Sequence, residues 1–176
     1  MTRYHPALVA LHWLLAILII LALTMGKVVL ANMPNADPEK IGSLQGHMII
    51  GLSILALMIV RFVIRMKTKR PPEADIGNAM LNKGAGLAHY GLYALVIAMA
   101  VSGIVISATA GLPDIVFFGS GEALPENFND IFARSVHGAL SLVLILVIAS
   151  HVLAALYHQV VRKDSLFSRM WFGKRS

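Results

Sequence analysis

The sequence predicts an all-α fold, an integral membrane four-helix bundle. Four apolar stretches of about 20 residues or more are each long enough, at about 1.5 Å per residue, to cross a hydrocarbon core of roughly 30 Å. Charged residues make up only 14% of the chain, against about 25% in a typical soluble domain. Mean hydropathy is +0.74.

The first stretch, Leu8–Leu30, is apolar apart from His12, Thr24 and Lys27. It lacks a small-x-small cleavage site and carries His12 and Trp13 near its start, so it reads as a retained helix and not as a signal peptide. The second, Ser43–Ile64, is broken by Gln45, His47 and Arg61. The third, Leu87–Ala108, carries His89, and the fourth, Val136–Val161, carries His137, His151 and His158. Between them lie the chain breakers Pro34, Pro38, Pro71, Pro72, Gly111, Pro113, Gly119, Gly121 and Pro125. Residues 1–176 are expected to form one transmembrane domain. In the longest connection, Phe117, Phe118 and Phe128 are expected at the interface or in a short lid.

Charge asymmetry sets the orientation, because basic loops stay on the cytoplasmic side. Arg3, Arg61, Arg65, Lys67, Lys69, Arg70, Lys83, Arg162, Lys163, Arg169, Lys174 and Arg175 fall on one side; Lys27, Lys40 and Arg134 fall on the other. Both termini are therefore expected in the cytoplasm. The net charge of +6 is explained by these flanks and anionic lipid, not by nucleic acid: no zinc-finger spacing, helix-turn-helix signal or aromatic-basic interleaving accompanies it. The absence of cysteine excludes disulfides, iron–sulfur clusters and thiolate ligation.

The histidines carry the chemistry. His137 and His151 are 14 residues apart, which on a helix is about 40° in azimuth and about 21 Å in height. One helix thus offers one ligand toward each leaflet on one face, the arrangement that stacks two haems across a membrane. His47, a few residues into the second span, is level with His137; His12, a few residues into the first, approaches the level of His151. The expected axial pairs are His47 with His137 and His12 with His151, and two neutral imidazoles leave iron no open position. His89 competes with His12, or contacts a haem propionate or a quinone. His158 competes with His151, or meets water, lipid phosphate or quinone near the headgroups. Arg61 and Arg65 are candidates for propionate or lipid contact, and Lys27, Lys40 and Arg134 for positive potential beside the outer haem. The alternatives are histidines that hydrogen-bond between helices in a non-redox structural protein, and a metal-transport site. Transport calls for several ligands at one depth, often with carboxylates, and the spans contain no Asp or Glu.

The chain resembles the bacterial cytochrome b561 family over essentially its whole length. The resemblance rests on His12-Trp13, Gly46-His47, Ala88-His89, His137-Gly138, His151 and the tail from Tyr157 to Met170. It implies two b haems in an inner membrane, held by His12, His47, His137 and His151, with ubiquinone as electron partner. In the subgroup it looks most like, the implied activity is superoxide oxidation at the outer haem, with Lys27, Lys40 and Arg134 guiding the anion and ubiquinone reduced near the inner face. His89, His158, Ser165, Arg61 and Arg65 are then candidate quinone or propionate contacts. The rival reading is a cytochrome b anchor that relays electrons between quinone and a separate redox protein.

Overall fold

The computed structural model describes residues 3–69, 71–72, 79–164 and 166–173. Four long helices dominate it. Helix α1 spans Pro6–Thr24 and continues as a π-helical turn over Met25–Leu30. Helix α2 spans Lys40–Lys67, α3 spans Ala79–Thr109, and a short α4 covers Leu112–Val116. Helix α5 spans Phe132–Tyr157, runs into a π-helical turn over His158–Arg162, and is followed by a 3-10 turn over Leu166–Met170. The expected spans lie inside these helices, which run further at their ends. Pro6 starts α1 where its missing N–H costs nothing, and His5 Nδ1 accepts the Ala7 amide at 3.3 Å.

A backbone in lipid must satisfy its polar groups internally, and these helices do so. Their interior hydroxyls follow the same rule: Thr24, Ser53 and Ser150 each donate to the carbonyl one turn back. Many large apolar side chains face outward, including Ile17 at 63% and Leu153 at 66% exposure. In water this would be a liability; in a bilayer it is the lipid-facing surface.

Helix α1 packs along α2, and α3 along α5; α2 and α3 join the two pairs, while α5 meets α1 and α2 only sparsely. The central core is Leu15, Ile54, Met58, Val96 and Leu144. By helical order these residues lie between the level of His47 and His137 and the level of His12 and His151. They form an apolar septum across the middle of the bundle. At the loop end, a second cluster of Leu44, Leu112, Ile115 and Val116 packs α4 onto α2, with Phe128 against it. The connection Thr109–Ser135 is therefore partly a cap: Phe128 packs inward, whereas Phe118 is exposed.

Two polar devices tie the ends. Lys40 is only 3% exposed, and its Nζ donates to the carbonyls of Leu30 at 2.7 Å and Met33 at 2.6 Å. It caps the carbonyl-rich end of the first span, where a cation also complements the helix dipole. At the other end the two termini interlock. Tyr4 N donates to Arg169 O at 3.1 Å, Arg3 donates to the carbonyls of Trp171 and Phe172, and Trp13 Nε1 donates to Met170 O at 2.8 Å. The Trp13 ring meets Trp171 and Phe167 edge-on, at 5.4 Å and 6.1 Å between centres.

Lys40→Met leaves two carbonyls without their charged donor and should destabilise the protein by about 2–4 kcal/mol, at about 1.5–3 kcal/mol per charged hydrogen bond with partial replacement by water. A thermal-unfolding midpoint in detergent reads this, and an unchanged midpoint refutes the capping role.

Candidate functional site

The structure brings His47 of α2 and His137 of α5 together with ring centres 6.3 Å apart and planes at 75°. It brings His12 of α1 and His151 of α5 together at 6.4 Å and 71°. Each pair thus bridges the two helix pairs where α5 approaches α1 and α2 least closely. Both pairs use α5, whose two histidines stand at opposite sides of the apolar septum.

The spacing fits a metal held between rings. Two imidazoles bound trans to one metal through nitrogens at about 2.0 Å have ring centres about 6.2 Å apart. Among the described residues, no group of three or more His, Cys, Asp or Glu side chains is placed to hold a metal ion. Two imidazoles are the donor set of a metal whose other ligands come from a planar macrocycle. A cavity of 740 Å³ surrounds the upper pair, lined by His47, His137, Lys27, Arg134, Gly26 and Gly103 among others. A Cβ on Gly26 would stand 3.5 Å from His47 Cε1, and one on Gly103 the same distance from His137 Cε1. Gly26 and Gly103 thus lie directly against the two rings, at a distance where a Cβ would make ordinary contact. The residues present fit a haem.

His89 also approaches His151, with ring centres 5.6 Å apart. It is exposed in the first half of α3, whereas His12 is half-buried among Trp13, His151 and Arg61. The His12–His151 distance is nearer the trans-imidazole value.

The remaining candidate residues have specific neighbours. Lys27 and Arg134 line the upper cavity. Lys40 borders it too, with its ammonium directed into the Leu30 and Met33 carbonyls. Arg61 is 7% exposed and donates to the Leu8 carbonyl, one helical turn before His12, with Tyr93 beside it. Arg65 lies over the rings of Tyr90 and Tyr93, 5.8 Å and 5.7 Å from their centres. Ser165, and the flanking Arg70, Lys174 and Arg175, lie outside the described residues.

His158 does not join His151. Its Nδ1 pairs with Asp164 Oδ2, which also accepts from Arg162 Nε at 3.2 Å. Lys163, at φ 53°, turns the chain back to make this contact. Burial pushes the Asp164 carboxyl up, but hydrogen bonds from His158, the Leu166 amide and Arg162 outweigh it and hold its pKa below the usual carboxylate range.

Sequence reasoning missed two partners. Asp164 lies beyond the last span and gave no sign of pairing with His158. Ser102 Oγ stands 2.9 Å from His137 Nδ1; its only sequence signal is a hydroxyl residue in an otherwise apolar run.

Comparison with known proteins shows the family. The family described as prokaryotic cytochrome b561 matches residues 3–173. A protein of Yersinia pestis named "Probable superoxide oxidase CybB" is 30% identical over 178 residues, covering 98% of each chain. Cytochrome b561 homolog 2 of Escherichia coli strain K12 is 29% identical, over 99% of this chain and 93% of that one. Cytochrome b562 of Cereibacter sphaeroides is 27% identical, over 95% of this chain and 94% of its own. Four apolar helices of membrane-crossing length and this full-length match make the chain a multi-pass bacterial inner-membrane protein that belongs to the prokaryotic cytochrome b561 family.

Proposed function

We propose that the protein carries electrons across the inner membrane from superoxide to ubiquinone through two b haems, with both termini in the cytoplasm. The observation that carries this reading is the pair of imidazole couples, at 6.3 Å and 6.4 Å, on two levels of one helix. When bound, haem supplies reversible one-electron chemistry. His47 and His137 would hold the outer group, and His12 and His151 the inner. Iron held by two imidazoles would suit electron transfer better than oxygen binding. The septum of Leu15, Ile54, Met58, Val96 and Leu144 places apolar side chains between the two levels.

The overall reaction balances with two superoxide anions giving two molecules of oxygen, and ubiquinone gaining two electrons and two protons. Lys27 and Arg134 raise the positive potential at the outer cavity and attract the anion. On the cytoplasmic side, Asp164 engages His158 Nδ1, leaving Nε2 as the atom that can hand a proton to a quinone oxygen. The identity of the relative named a superoxide oxidase supports this substrate.

The purified protein in detergent should show two low-spin b haems per chain. His47→Ala or His137→Ala should remove one, His12→Ala or His151→Ala the other, and His89→Ala neither; a colourless wild type after expression with added haem refutes the reading. Lys27→Glu with Arg134→Glu should slow superoxide oxidation by about tenfold and flatten its dependence on ionic strength, measured by stopped-flow reduction of the haems. Wild-type protein that reduces only through a copurifying redox subunit would establish the membrane-anchor function instead.

A further inference from the structure

The two rings of the outer pair are not held alike. Ser102 is 7% exposed and lies on α3 facing α5. Its Oγ donates to the Met99 carbonyl at 2.9 Å and stands 2.9 Å from His137 Nδ1. A serine hydroxyl has one hydrogen. Since that hydrogen goes to Met99, Ser102 can only accept from His137. Nδ1 must therefore carry the ring proton, and Nε2 keeps its lone pair. His47 has no such support: its Nδ1 is buried without a hydrogen-bond partner among the described residues.

An imidazole that donates through its remote nitrogen is a more basic ligand through the other. It stabilises oxidised iron more than reduced iron and lowers the reduction potential. No comparable hydroxyl-to-imidazole contact faces the lower pair among the described hydrogen bonds, where the nearest fixed charge is Arg61 beside His12. A buried cation acts in the opposite sense and favours the reduced state.

We propose that Ser102 is the positioning residue of the outer centre: its hydroxyl presents Nε2 of His137 to iron and holds the outer haem at a lower reduction potential than the unsupported ligand would give. This rests on the di-haem reading above and adds a residue to it.

The test is a spectroelectrochemical titration of the holoprotein, resolving both haems, for wild type, Ser102→Ala and Ser102→Thr. Ser102→Ala should raise the equilibrium constant for reduction of the outer haem by about three- to tenfold, tenfold being about 59 mV for one electron. The inner haem should stay in place and serve as the internal control. Ser102→Thr, which keeps a hydroxyl, should restore the wild-type value. Loss of the outer haem from the Ala variant but not the Thr variant would equally support the role. Unchanged outer potential in Ser102→Ala, or equal shifts at both haems, overturns this inference alone. A wild type with no haem at the His47–His137 level overturns it together with the di-haem reading.

Discussion

An imidazole inside a membrane bundle needs a partner for its ring nitrogens, because neither lipid nor a dry core can supply one. Four histidines in this chain come together in pairs, one of each pair from α5 and the other from α1 or α2, and His47 Nδ1 is left without a hydrogen-bond partner among the described residues. The architecture follows from it. Two closely packed helix pairs, α1 with α2 and α3 with α5, are joined through α2 and α3. Where α5 faces α1 and α2, the rings and not the backbones make the approach. Gly26 and Gly103 lie against the upper rings, and the cavity around them is bounded by all four long helices.

The same low dielectric that makes the histidines expensive separates the two levels. The septum residues are apolar on every long helix. Two buried charges are held by backbone carbonyls. Lys40 closes the end of the first span, and Arg61 donates to the carbonyl that precedes His12 by a turn. In each case a carbonyl accepts a hydrogen bond from the buried cation.

The two ends differ in kind. At the loop end, α4 and Phe128 form a small lid over a cavity bordered by Lys27 and Arg134. At the terminal end, the tail folds back onto Trp13 and brings Asp164 to His158. An anion-attracting opening at one end and a carboxylate–imidazole couple at the other suit a protein that takes electrons from a small anion and delivers them where protons are available.

Much of this was legible in the chain itself. Membrane crossing followed from four long apolar runs, because hydrocarbon thickness sets helix length directly. The placement of His137 and His151 on one face followed from helical periodicity, and their partners from matching depth, since a straight helix converts residue number into height. What periodicity could not decide was everything that depends on contacts between helices or on a turn. The inward direction of the Lys40 ammonium depends on how the chain reverses between α1 and α2. The pairing of His158 with Asp164 depends on the left-handed turn at Lys163. The tautomer of His137 depends on Ser102 of a different helix and on which way that hydroxyl donates. Depth and azimuth are properties of one helix and can be read from one sequence; hydrogen-bond direction is a property of two, and only the packed bundle decides it.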